Sequence, residues 1–107
     1  MSSLDQLAAF ERVAGAFARD RRVTRGGKGF GSTGVKVDGK LFAFVSSRGQ
    51  YVVKLPKPRV SELVSAGVGE LFDPGHGRLM REWIALDGNE KRWLGLAKEA
   101  RAFVGGG

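Results

Sequence analysis

The residues best suited to acid–base chemistry lie together in one short loop, from Asp73 to Arg78. The loop holds a carboxylate (Asp73), the only imidazole of the chain (His76) and a guanidinium (Arg78), among Pro and Gly residues. A histidine there could transfer protons near neutral pH, and Asp73 could orient it. The alternative is a tight connection whose Pro and Gly residues serve the backbone shape. Because no nucleophile motif accompanies the loop, ligand or anion contact ranks above catalysis there, and no catalytic residue is predicted.

Two glycine-rich stretches have spacings that resemble phosphate-binding loops. Gly29 to Gly34 matches a loop whose backbone N–H groups approach a phosphate without an intervening Cβ. A strand is predicted to follow, where a dinucleotide site needs a helix, so a connection between strands is the favoured interpretation. Residues 34–40 come close to a Walker A loop, but Leu41 stands where Ser or Thr should hold magnesium. With no Cys and one His, the chain also offers no conventional metal site, and we predict no cofactor.

Phosphate contact is the second chemistry that the sequence offers. The first 60 residues hold 12 Lys or Arg and 4 Asp or Glu, whereas the remainder hold 6 and 7, which together give the net charge of +7. Such a basic half can attract nucleic acid or an acidic partner, or can serve solubility alone. If the basic residues converge on one face, they predict a nucleic-acid or anion interface; if they scatter, they are a solvated surface. The candidates are Arg21, Arg22, Arg25, Lys28, Lys36, Lys40 and Lys54.

An aromatic strand follows the Asp38-Gly39 turn. Residues 40–45, Lys-Leu-Phe-Ala-Phe-Val, are similar to the strand of an RNA recognition motif whose aromatics stack bases. The spacing departs from that motif at Leu41 and Ser47. Because every position from 41 to 45 is apolar, the favoured prediction is a central strand that is covered on both faces, with Phe42 and Phe44 in the core.

The elements that must position these residues follow from periodicity and turn signals. Helices are indicated by apolar residues at three- and four-residue spacing, strands by short apolar runs, and Asp38-Gly39 is a strong hairpin signal. Residues 67–77 are predicted as a loop and residues 105–107 as a flexible glycine tail after a single domain, 1–104. The predicted elements are a helix from Ser3 to about Asp20, strands beginning at Val23, Gly34, Leu41 and Tyr51, a helix over residues 58–66, a strand over residues 79–86 and a helix from Trp93 to Val104.

This order, α-β-β-β-β-α-β-α, predicts an α+β fold: a curved antiparallel sheet of about five strands with helices packed against it. No apolar run approaches the length of a membrane helix, and the first residues do not form a secretory signal. A cytoplasmic protein without membrane contact is therefore expected.

The arrangement resembles the TfoX N-terminal domain and the related MmcQ/YjbR-type small proteins. The resemblance rests on Phe30-Gly31, residues 37–43, residues 51–55 followed by Pro58, and then Phe72, Gly77, Met80, Trp83 and the closing helix with Trp93, Leu94 and Ala97. It implies a compact α+β domain and an association with competence regulation or DNA binding. The second domain that full-length TfoX-like regulators carry is expected to be missing, and the resemblance transfers no active-site residue.

Three functions follow as hypotheses. The first is a non-enzymatic binding or regulatory module that contacts nucleic acid through the basic N-terminal half. The second is a protein-interaction module, such as a chaperone-like homodimer or a domain that binds an acidic partner. The third is an enzyme that uses the Asp73–His76–Arg78 loop, which ranks last because few groups are available for acid–base work.

Overall fold

The structure is a computed structural model that describes residues 3–25, 34–46, 48–73, 80–86 and 90–106. It confirms the α+β class. Its helices are α1 (Ser3–Gly15), α2 (Lys57–Ser65) and α3 (Trp93–Gly105), and a short 3₁₀ helix (Glu90–Arg92) precedes α3. Its strands are β1 (Val23–Arg25), β2 (Val35–Val37), β3 (Lys40–Val45), β4 (Tyr51–Lys54), β5 (Gly69–Phe72) and β6 (Met80–Leu86).

The six strands form one sheet in the order β1-β2-β3-β4-β6-β5, and each neighbouring pair is antiparallel. The first four strands follow one another in chain order, as the turn signals predicted. The chain then passes through α2 and returns as β5 and β6. β1 and β5 are the two edges of the sheet.

β5 is a strand that the sequence analysis wrongly placed in a loop. It has only four residues, begins with glycine and lies on the sheet edge beside β6. A Cβ at Gly69 would lie 2.4 Å from the Ala85 carbonyl oxygen, so the backbones of β5 and β6 approach too closely there for any side chain. The glycine that signalled a loop is therefore required by strand pairing, and the described residues form six strands where about five were expected.

All three helices pack on one face of the sheet. Their buried residues, such as Phe10, Val60 and Trp93, join the inward side chains of β2, β3, β4 and β6 in the main core. Tyr51 stacks on Trp93 with ring centroids 4.3 Å apart, and its hydroxyl donates to the Trp93 carbonyl oxygen at 3.2 Å. Burial raises the pKa of this hydroxyl, so Tyr51 stays neutral in the core.

The opposite face of the sheet, called here the second face, carries a smaller buried cluster of Phe44, Val52, Phe72 and Ala85. Phe42 belongs instead to the main core, although it is only two residues from Phe44. The reason is a bulge in the pairing of β2 with β3: Val35 pairs with Ala43, but the next residue, Lys36, pairs with Leu41. The bulge lets Phe42 and Ala43 lie on the same side. The prediction that β3 is covered on both faces is confirmed.

Two helix ends differ from the predicted ones. α1 ends at Gly15, and residues 16–20 continue in turns that close through i→i+3 hydrogen bonds, because glycine weakens the helix. α3 includes Gly105, which was assigned to the tail, and ends at Gly106 in the left-handed conformation (φ 72°). Phe103, an apolar residue near the C-terminal end of α3, is 38% exposed.

Candidate nucleic-acid interface

The structure divides the predicted basic residues among three places. Arg21 and Arg22 directly precede β1, and Lys40 begins β3, so the antiparallel pairing brings these three to one end of the strands. Arg25 lies at the other end of β1, on the helix side. Lys36 and Lys54 lie on the second face, because their neighbours Val35, Val37 and Val53 point into the main core. Lys28 lies outside the described residues.

The turn between β2 and β3 positions the first group. Asp38 and Gly39 both have positive φ (53° and 79°), as a two-residue hairpin turn requires, which confirms the turn that the sequence predicted. The Asp38 N–H donates to the Arg22 carbonyl oxygen at 2.9 Å. This hydrogen bond extends the β1–β2 ladder by one pair and places the Asp38 carboxylate beside the Arg22 side chain.

Arg22 makes a forked contact with Asp38. Its Nε donates to both carboxylate oxygens, at 3.0 and 3.1 Å, and its Nη2 also bonds Oδ2. The same Nη2 donates to the Gly105 carbonyl oxygen at 2.6 Å. Arg22 thus joins the β2–β3 turn to the last turn of α3, while both charged side chains stay almost half exposed (44% and 45%).

A second arginine reaches the same point from the distant end of the chain. The Arg101 Nε donates to Asp20 Oδ2 at 2.8 Å, and Asp20 Oδ1 also accepts from the Arg22 backbone N–H at 3.0 Å. A Cβ at Gly105 would lie 3.3 Å from Arg101 Nη1 and 3.4 Å from Arg22 Nη2. The two guanidinium groups therefore lie side by side against one glycine.

We call Asp20, Arg22, Asp38, Lys40 and Arg101 the Gly105 cluster. Hydrogen bonds from Arg22 lower the pKa of Asp38, with further electrostatic contributions from Arg22, Arg101 and Lys40. Hydrogen bonds from Arg101 and from the Arg22 backbone lower the pKa of Asp20. Both carboxyl groups are consequently ionised at neutral pH, and the cluster holds three cations against two anions. Within the cluster, the Arg22 guanidinium holds the Asp38 carboxylate and the Arg101 guanidinium holds the Asp20 carboxylate.

Arg25 is engaged on the helix side of the sheet. Its two terminal nitrogens donate to the two carboxylate oxygens of Glu11 at 3.2 and 2.7 Å, and its guanidinium carbon lies 5.7 Å from the Phe10 ring centroid. The hydrogen bond from Arg25 lowers the pKa of Glu11. This pair attaches β1 to α1.

Lys54 is engaged on the second face, where its Nζ lies 5.5 Å from the Trp83 ring centroid. The other aromatic groups of this face pack among themselves: the Phe44 ring lies 5.5 Å from both Phe72 and Trp83. Phe42 and Phe44 are 0% and 2% exposed. Their prediction as core residues is confirmed, and neither ring is accessible for stacking on a base.

Only one residue of the predicted acid–base loop is described. The Asp73 backbone carbonyl oxygen accepts from Arg48 Nη2, which joins the end of β5 to the β3–β4 turn. His76 and Arg78 lie outside the described residues, as does most of the glycine stretch from 29 to 34. The hypotheses on these segments stay predictions.

Two members of the Gly105 cluster, Asp20 and Arg101, were not predicted from the sequence as site residues. They are 81 positions apart, and Arg101 comes from the half of the chain with no excess of positive charge. The only signal at short range was the position of Arg19, Arg21 and Arg22 after the first helix. Contacts over such a separation follow from the packing of α3 against the sheet, which periodicity alone does not specify.

Comparison of the chain with protein-family models, with curated proteins and with solved structures gives no match. The resemblance to TfoX-like and MmcQ/YjbR-like domains therefore stays a prediction. Within the described segments, no helix is long and apolar enough to cross a membrane.

Proposed function

We propose that this protein is a non-enzymatic binding module that contacts the phosphate backbone of nucleic acid through the basic end of β1, β2 and β3. The observation that carries the proposal is the charge balance of +8 in residues 1–60. Among the basic residues of this segment, Arg21, Lys36 and Lys40 form no ion pair with any described residue. Cations without carboxylate partners can exchange bound counterions for phosphate groups, which is the main source of sequence-independent affinity.

The contacts that some basic residues already make reduce the number of cations proposed to bind phosphate. The guanidinium groups of Arg22 and Arg25 donate hydrogen bonds to carboxylates, and the Lys54 ammonium group lies over an aromatic ring. Arg21 and Lys40 remain at this end of the strands, whereas Lys36 lies on the second face. One nucleic-acid backbone that crosses this end can contact Arg21 and Lys40 through separate phosphates.

The test is a fluorescence-anisotropy titration with labelled double-stranded DNA, single-stranded DNA and RNA, at low and at physiological salt. We expect binding that falls steeply with salt concentration. The double variant Arg21→Gln/Lys40→Gln should reduce the slope of log K against log salt on duplex DNA by about 1.8, since each phosphate contact contributes about 0.9.

The matched control removes the same charge elsewhere. Lys57 and Lys98 are exposed residues on α2 and α3, and the variant Lys57→Gln/Lys98→Gln should keep most of the wild-type slope. Equal losses in the two variants would mean that only net charge matters. No binding of the wild type at low salt would contradict the proposal and would direct attention to an acidic protein partner.

A further inference from the structure

The Arg22–Asp38 contact has the geometry that an arginine uses to bind a phosphate. A guanidinium presents a planar fork of N–H donors, and carboxylate and phosphate oxygens fit it in the same way. In this protein the fork is filled by a residue of the adjacent hairpin turn, with Nε–oxygen distances of 3.0 and 3.1 Å. Both side chains are almost half exposed, so a phosphate in solution can reach them.

We propose that Asp38 is an internal competitor for phosphate, and that the Gly105 cluster binds a backbone phosphodiester when Asp38 is displaced. The inference rests on the proposed function and adds Arg22 to the residues that contact phosphate. An exposed ion pair contributes little to stability, so its exchange for another anion costs the fold little. The exchange breaks no covalent bond and moves no proton.

The surroundings of Arg22 favour this exchange. The Gly105 carbonyl oxygen accepts from Arg22 Nη2, so the side chain keeps one anchor after Asp38 leaves. The Arg101 guanidinium lies against the same glycine, and Lys40 follows the turn, so an arriving anion meets three positive charges. Asp20 stays bound to Arg101 and to the Arg22 backbone N–H, and it limits the cluster to one additional anion.

The Asp38→Asn variant tests the proposal without removing the turn. Asparagine adopts positive φ readily, and Asn-Gly is a preferred pair for this type of turn. We expect tighter binding to duplex DNA than wild type and a salt slope that is steeper by about 0.9, equivalent to one more phosphate contact. Between 50 and 200 mM salt, this adds about a three- to fourfold loss of affinity.

Glu70→Gln is the matched control. It adds the same unit of charge on β5, at the opposite edge of the sheet, where Gln50 is the one described residue that donates to the Glu70 carboxylate, at 3.4 Å. Its slope should equal that of wild type. Asp38→Gly, which also tolerates positive φ, is a second variant in case Asp38→Asn unfolds, and circular dichroism checks both.

Arg22→Gln identifies the residue that Asp38 restrains. In the Asp38→Asn background it should abolish the gain, so that the double variant has a salt slope no steeper than that of wild type. Equal slopes for Asp38→Asn and Glu70→Gln, beside a wild type that binds, would overturn this inference and leave the proposed function standing. Binding by Asp38→Asn alone would support the inference and contradict the proposed function for the wild type. Absence of binding in every variant would overturn both.

Discussion

Phe42 illustrates how a single side chain is placed by its neighbours' pairing. The bulge between β2 and β3 turns it toward the helices, where its ring meets Phe17 edge-on with centroids 5.5 Å apart. Phe103 is the opposite case, since it is 38% exposed although Val104 beside it packs against the main core. Both residues are phenylalanine and they differ in burial, so the same substitution at the two positions compares the effect of burial on stability.

We predict that Phe42→Ala lowers the free energy of unfolding by about 3–5 kcal/mol, because the cavity adds to the lost transfer energy. Phe103→Ala should lower it by only about 1 kcal/mol or less, since 38% of the residue is already exposed and its truncation leaves no enclosed cavity. Urea unfolding followed by tryptophan fluorescence measures both. A large loss for Phe103→Ala would show that its ring is covered, for example by a second copy of the chain.

Burial of this kind was largely predictable from the sequence. The apolar run from Leu41 to Val45 in β3 indicated that Phe42 and Phe44 are both buried, and the structure confirms it. The reason is that a strand with apolar side chains on both faces is stable only when both faces are covered. Which face each ring occupies was not predictable, since the bulge depends on how Val35 and Lys36 pair with β3.

At the scale of elements, glycine is unfavourable near the first turn of α3 and favourable at its C-terminal end. Gly95 lies in the first turn and Gly106 forms the left-handed C-cap, whose N–H donates to the Ala102 carbonyl oxygen. A Cβ would meet nothing within 4 Å at either position. Differences between substitutions at these sites therefore report the backbone alone.

Gly95→Ala should stabilise the protein by about 0.5–1 kcal/mol, because alanine loses less backbone entropy in a helix. Gly106→Ala should destabilise it by about 1–2 kcal/mol, because a Cβ is unfavourable at positive φ. Thermal unfolding by circular dichroism resolves the two signs. Equal effects would mean that α3 does not end at Gly106 in solution.

The elements themselves were predictable to different degrees. α2, β3, β4 and β6 carry clear apolar patterns with Pro or Gly at their ends, and the structure has them within a residue or so of the predicted bounds. β5 was not predicted, because this strand depends on pairing with β6 and its own residues show no strand pattern. Four residues that start with Gly69 form a strand only when β6 is beside them.

At the scale of the whole molecule, the fold redistributes a charge that the sequence places in one half. α3 brings Arg101 to Asp20 and the Gly105 carbonyl oxygen to Arg22, so that a connection near the start of the chain, a hairpin turn and the end of the last helix meet at one point. The sequence predicted an excess of positive charge in the first 60 residues. It could not predict which cations are neutralised, because the partners are distant in the chain.

The central claim is that nucleic acid contacts the basic end of β1, β2 and β3, and an NMR titration tests it most directly. The ¹⁵N-labelled protein is titrated with a short DNA duplex at low salt. Amide shifts should concentrate in residues 20–25, 35–41 and 104–106, and α2 and β5 should serve as unperturbed references. Shifts that centre on α2 and β5, or no shifts at any DNA concentration, would contradict the account.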